Sequence, residues 1–537
     1  MSASLKALKK IEILDTTLRD GSQQEGLSLT VDDKLKVAEQ LDILGVTYIE
    51  GGWPGAHPKD NEFFKRALKE LNFKNSKLVA FGATRKAGAK TETDQNIKNL
   101  LNSGCEYVCM VAKAWDLHVK YALLTTLDEA KKMVYDSVKF LTDKDIKVFL
   151  DAEHFFDGYK ANKNFALSIL KAAQDAGALR LVLCDTNGGS LPDEISATVG
   201  QVNKTFKTLG IHCHNDTGCA VANSIAAVKS GAIQVQGCIN GYGERTGNAD
   251  LSVLIPNLSL KLGYETIPEK NIYLLTPVAN HIAELINTAV SPQKPYVGSA
   301  AFAHKAGLHT SANARKAGAY EHIDPTLVGN TARYLVSEMS GKATLKLKAK
   351  ELNLKLDEQA LNVLVDELKK REYAGYHYEA ADGSFELLMR RVLGWQPNYF
   401  TVESFRVETI WRPSENAELN LMHSDVLTEA TVKLFINNER VIVTREGNGP
   451  VNALDNALRA AIEPYYPKLK RVHLTDYKVR VLDSDKATAA VTRVLIDTSD
   501  GEKTWSTIGV SENIIDASWE ALLDSINFAL LHLQEAS

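Results

Sequence analysis

Eight short apolar runs in the first 245 residues, each followed by a helical pattern, predict an α/β fold, a closed (β/α)8 barrel. A helical, charged stretch and then alternating strand patterns follow it, predicting a helical linker region and a C-terminal α+β domain. The runs begin at Ile11, Val46, Leu78, Tyr107, Val148, Leu181, Gly210 and Gln234, spacings of 24 to 41 residues. Strands alternating with helices imply right-handed βαβ units and a parallel sheet. A count of eight closes that sheet, and its functional site then lies at the strands' C-terminal ends.

The helices carry their own signals. Between the first two runs, Leu35, Ala38, Leu41 and Leu44 form an apolar stripe, with Thr30 as N-cap and Gly45 as stop. Ile225 and Val228, ending at Gly231, repeat the arrangement after the seventh run. The expected divisions are residues 1–275 for the barrel, 276–400 for the linker region and 401–537 for the last domain. In that last part, strand-like alternation is twice followed by a helical stretch, at 451–462 and 516–533, which reads as a duplicated unit.

Composition narrows the function. A chain of 537 residues exceeds one ordinary core, and 45% hydrophobic with 24% charged residues is a globular balance. A net charge of −5 argues against general binding to nucleic acid or anionic membranes. No apolar run approaches the ~20 residues that cross a bilayer. Six cysteines without CxxC pairing suit a reducing cytoplasm, the expected location.

Polar residues gather where a barrel keeps its site: LDTTLRDGSQQEG after strand one, IEGGWPG after two, DAEHFF at five and CDTNGG at six, HCHNDTG at seven and INGYGERTGN after eight. In HCHNDTG, His212 and His214 share one face of a strand while Cys213 points the other way. Both imidazoles can therefore meet one ion inside the mouth, with Asp20 reaching over from the neighbouring strand-one loop. Hydrogen-bonded rim histidines are the ordinary alternative. Two nitrogens, hard oxygens and open positions suit Mg²⁺ or Mn²⁺, with Zn²⁺ or Co²⁺ also compatible. Arg19 can stabilise an oxyanion or brace the rim as a salt bridge. Glu153 can act as or orient a base, or be an ordinary solvated strand-end carboxylate. GYGERTGN is glycine-rich but lacks a P-loop's lysine ending, so it carries little as a phosphate site.

Together, LDTTLRDGSQQEG, HCHNDTG, GYGERTGN and FAHKAGLH resemble the α-isopropylmalate, homocitrate and citramalate synthases, metal-dependent barrel enzymes that condense acetyl-CoA with a 2-keto acid. The resemblance covers nearly the whole chain. GGWPGAHPKD and DAEHFFDG look most like the branch that uses pyruvate, with isoleucine as its feedback effector. It implies that Asp20, His212 and His214 are metal ligands, with Asn248 at or beside the metal. It implies that Arg19 and Thr186 hold the keto acid, and that His118 lies on the substrate side. His309 and Tyr320 resemble residues that the linker places over the partner subunit's barrel, with His309 as base supported by Glu153, which implies a homodimer. Isopropylmalate or homocitrate synthesis, a metal-dependent aldolase or acyl-CoA lyase, and a non-catalytic amino-acid sensor are the alternatives.

Overall fold

The computed structural model describes residues 9–304, 312, 315–316, 318–334, 342–413, 424–482 and 490–535. Eight parallel strands close into a barrel in sequential order. They are β1 (Glu12–Asp15), β2 (Tyr48–Glu50), β3 (Lys77–Ala83), β4 (Tyr107–Lys113), β5 (Lys147–Glu153), β6 (Arg180–Asp185), β7 (Leu209–Cys213) and β8 (Gln234–Gly237). Closure is direct: β1 pairs with β2 on one side, Leu14 opposite Tyr48, and with β8 on the other, Leu14 opposite Gln236. All eight expected runs became strands, with ends shifted by a few residues.

Helix α1 (Val31–Leu44) shows why the local reading succeeded. Thr30 and Asp33 form a reciprocal capping box, and Gly45 closes the helix in the left-handed region at φ 94°. The stripe Leu35, Ala38, Leu41 and Leu44 is buried against the sheet's outer face. The inner face holds a separate aromatic layer of Leu14, Tyr48, Val79, Phe81, Tyr107, Cys109 and Phe149. Tyr48 and Phe149 meet edge to face, 4.9 Å between ring centres. On β2 and β5 the next inward position is polar, so Glu50 follows Tyr48 and Asp151 follows Phe149. This layer is the floor beneath the mouth. A Phe149→Ala protein is expected to lose about 3–5 kcal/mol of unfolding free energy, measured by urea denaturation.

The compact units divide the chain later than residue 275. The barrel unit runs to Phe302 and includes Ile323–Ala332; the second unit holds Ala303–His322 and the chain from Arg333. The physical reason is that a helix at Leu275–Leu285 buries Leu275, Val278, Ala279 and Ile282 in the barrel's outer core.

The second unit also joins what the sequence reading kept apart. Two three-stranded antiparallel sheets are each followed by a helix. The first is β9 (Thr401–Pro413), β10 (Ser424–Ile436) and β11 (Glu439–Gly447), followed by a helix at Pro450–Ile462. The second is β12 (His473–Val481), β13 (Thr492–Ser499) and β14 (Thr504–Ser511), followed by Ile514–Glu535. The duplication is therefore real, and the two halves share one core around Val432, Leu458, Ile496 and Leu522. The helix Asp382–Val392, assigned from sequence to the linker, packs Phe385 and Met389 with Ile508 of β14. Its Ser384 donates to Asp524 Oδ2 at 2.7 Å. Among the described residues no helix is long and apolar enough to cross a membrane.

Candidate active site and metal centre

A cleft of about 360 Å³ opens at the strands' C-terminal ends. Arg19, Asp20, Asp151, Glu153, Thr186, His212 and His214 are among its lining. Asp20 sits in the turn after β1, where the chain makes a short 3₁₀ helix at Gly21–Gln23. Its Oδ2 lies 3.3 Å from His212 Nε2 and 3.7 Å from His214 Nε2. All three residues are buried, and their possible ligand atoms lie within 4.8 Å of one another. Cys213 is buried on the other side, in the layer between strands and helices. The alternation read from HCH is the alternation found.

The chemistry of this cluster fits a divalent cation. Ligands about 2.1 Å from one octahedral ion stand about 3 to 4.2 Å apart, and the distances from Asp20 Oδ2 to the two imidazoles, 3.3 and 3.7 Å, fall in that range. Two further polar atoms are buried without hydrogen-bond partners among the described residues: His214 Nδ1 and Asn248 Oδ1. Asn248 pairs with His214 as an isolated β-bridge and donates its Nδ2 to Tyr242 O at 3.1 Å. Its amide oxygen is therefore the end left over, and a buried acceptor without a donor costs about 1–3 kcal/mol. A cation would satisfy it.

Charges around the cluster are strongly coupled. Burial alone would raise the Asp20 carboxyl, but Arg19 and the two histidines hold it well below the usual carboxylate range. Burial and the neighbouring His212 push His214 down to about 4. His212 runs the other way: burial lowers it, and Asp20 and Asp151 more than offset that.

Arg19 is fixed from three sides. Its Nε donates to Glu50 Oε2 at 2.6 Å, its guanidinium lies 3.2 Å from Asp20 Oδ2, and it stacks 3.9 Å above the Phe81 ring. Glu50 is wholly buried, and its Oε1 has no hydrogen-bond partner among the described residues. A guanidinium held this way is preorganised, which is what charge stabilisation in a low-dielectric cleft requires.

The remaining expected residues divide. Thr186 lines the cleft, and its Oγ1 accepts from His154 N at 2.9 Å, a bond that does not consume the hydroxyl hydrogen. Glu153 lines the cleft but is ion-paired with Lys113, so it is not the solvated carboxylate that sequence allowed. His118 is not among the residues lining this cleft. It packs edge-on against His154, 4.4 Å between rings, beside Trp115, because the helix Asp116–Tyr121 turns it along the rim. His309 lies outside the described residues. Tyr320 is 44% exposed and belongs to the second unit.

Sequence reasoning missed Glu50, Lys113, Asp151 and Gln236. Each is a polar residue at an inward position near the end of a barrel strand. The signal was available in period-two counting: Asp151 shares Glu153's face, and Gln236 stands opposite His212 in register.

A closed parallel barrel with a buried carboxylate–imidazole cluster at its C-terminal mouth defines a metal-dependent barrel enzyme. The HMGL-like family model matches residues 10–282, the model for the homocitrate synthase post-HMGL domain matches 296–375, and that for the LeuA allosteric (dimerisation) domain matches 379–530. The (R)-citramalate synthase of Streptomyces coelicolor is 51% identical over 99% of this chain and 98% of its own length. The (R)-citramalate synthase of Aquifex aeolicus is 48% identical over 98% and 99%. A 2-isopropylmalate synthase of Sulfolobus acidocaldarius is 36% identical over 70% of this chain and 94% of its own. The chain belongs to the HMGL-like family, in its citramalate synthase branch.

Proposed function

We propose that this protein condenses acetyl-CoA with pyruvate and hydrolyses the thioester, releasing (R)-citramalate and CoA in isoleucine biosynthesis. The observation that carries the reading is the Asp20–His212–His214 cluster beside the clamped Arg19, in a chain alike over its full length to citramalate synthases. A divalent ion, Mg²⁺ or Mn²⁺ by the two hard oxygens and open positions beside two imidazoles, would be held by Asp20, His212, His214 and Asn248 and would supply Lewis-acid polarisation of the keto oxygen.

The chain's own residues do the rest. Thr186 offers its hydroxyl to the keto-acid carboxylate, and Arg19 faces the oxygen on which negative charge develops during carbon–carbon bond formation. A base removes the proton from the acetyl methyl group, and His309 is the residue proposed for it. Glu153, tied to Lys113 at the rim, positions the base or the departing thioester. Positioning two substrates in one cleft removes much of the entropy of their encounter. His309 and Tyr320 are proposed to reach the site from the partner subunit of a homodimer. The C-terminal unit is proposed to bind isoleucine, with the helix N-termini at Pro450 and Ile514 as anion-binding ends for its carboxylate.

The test is CoA release from acetyl-CoA with a panel of 2-keto acids, with and without EDTA. Citramalate formed from pyruvate, abolished by chelation and restored by Mn²⁺, is the expected result; isoleucine added to the same assay should lower the rate. Preference for 3-methyl-2-oxobutanoate would give the isopropylmalate reading instead, and turnover untouched by chelation would sink the metal.

A further inference from the structure

We infer that Gln236, oriented by Asp151, is a positioning residue that sets the tautomer of His212 and thereby makes its Nε2 available to a cation. The inference rests on the reading of Asp20, His212 and His214 as ligands.

Gln236 is wholly buried inside the barrel on β8, in register with His212 on β7. Its carboxamide bridges two groups: Oε1 lies 3.0 Å from His212 Nδ1, and Nε2 donates to Asp151 Oδ1 at 2.9 Å. Burial pushes the Asp151 carboxyl up, and the nearby Arg19 favours its ionised form. An ionised Asp151 can only accept, so the amide's NH₂ end faces it. Turning the amide over would set its carbonyl oxygen against that carboxylate. With the oxygen end fixed toward the imidazole, the contact is a hydrogen bond only if His212 Nδ1 carries the hydrogen. The lone pair of neutral His212 then sits on Nε2, the atom 3.3 Å from Asp20 Oδ2. Outer hydrogen bonds of this kind fix the tautomer and ring orientation of ligating histidines.

His214 gives the contrast within the same cluster. Its Nδ1 is buried and has no hydrogen-bond partner among the described residues. No bond of that kind fixes its tautomer, so the structure assigns the preset ligand to His212. Among the described residues the hydrogen-bonding neighbours of Gln236 are His212, Asp151 and, at 3.9 Å, Cys109 Sγ.

Mn²⁺ affinity of the chelator-stripped full-length protein, measured through the electron-paramagnetic signal of the free ion, tests this without reference to turnover. Gln236→Met is close to isosteric but offers His212 no oxygen, and it should bind Mn²⁺ about 10- to 100-fold more weakly. Gln236→Glu combined with Asp151→Asn keeps an acceptor oxygen on His212 and a donor–acceptor pair between 236 and 151, and it should stay within a few-fold of wild type. A folded Gln236→Met protein with unchanged affinity would overturn the inference. Should that variant not fold, the wild type decides: nitrogen-15 spectra of the metal-free protein at alkaline pH should show His212 protonated at Nδ1, and protonation at Nε2 would overturn it. A wild type that binds no Mn²⁺ would fail the ligand reading itself, a different outcome from wild-type binding that Gln236→Met leaves unchanged.

Discussion

An Arg19→Ala enzyme is expected to turn over about 10²–10³-fold more slowly than wild type, the usual loss when one preorganised oxyanion stabiliser is removed. It is also expected to lose about 3–5 kcal/mol of stability, because the change leaves Glu50 as a wholly buried carboxylate without its cation. The two losses have different causes and can be separated. Adding Glu50→Gln to Arg19→Ala removes the orphaned charge, so the double variant should recover most of the urea midpoint and none of the turnover. A pH series gives the sign. Burial already pushes the Glu50 carboxyl above its ordinary value, and Arg19 is the main opposing influence. In Arg19→Ala the folded-state value rises further, so the folded protein binds a proton there more tightly than the unfolded chain. The stability deficit should therefore shrink as pH falls toward the ordinary carboxylate range and be greatest at neutral and alkaline pH. Near-normal turnover in a folded Arg19→Ala protein would end its proposed role.

Asp20→Ala should remove both activity and metal binding. Its carboxylate lies against both His212 and His214, so the loss in Mn²⁺ affinity should exceed the ~100-fold typical of the largest outer-shell changes. Complementation then tests the shared site. If His309 enters from the partner subunit, mixing Asp20→Ala with His309→Ala protein under confirmed subunit exchange should restore about a quarter of the wild-type rate. Half of the dimers would be mixed, and each would hold one intact site. No recovery would mean that each chain completes its own site.

Much of this was legible in one dimension. The capping box at Thr30 and the stop at Gly45 are short-range chemistry, and the alternation of HCH fixes sidedness without any tertiary information. The position of Arg19 and Asp20 in one loop placed them at the mouth. The surroundings of His118 were not legible in the same way: a motif names a residue, but the fold decides that its ring packs against His154 and Trp115. The compact barrel unit runs past residue 275 because the helix Leu275–Leu285 buries Leu275, Val278, Ala279 and Ile282 in its outer core, a packing fact that composition does not announce.

By itself the sequence determined the periodicities, and with them the eight strands, the face on which His212 and His214 stand, and the duplicated C-terminal unit. Those follow from local rules of backbone geometry, repeated along the chain. Tertiary structure alone decided which distant polar groups meet: Glu50 under Arg19, Lys113 on Glu153, and Asp151 through Gln236 to His212. Such pairs depend on barrel register and on the cost of burying a charge unpaired, and neither is a property of residues near one another in sequence.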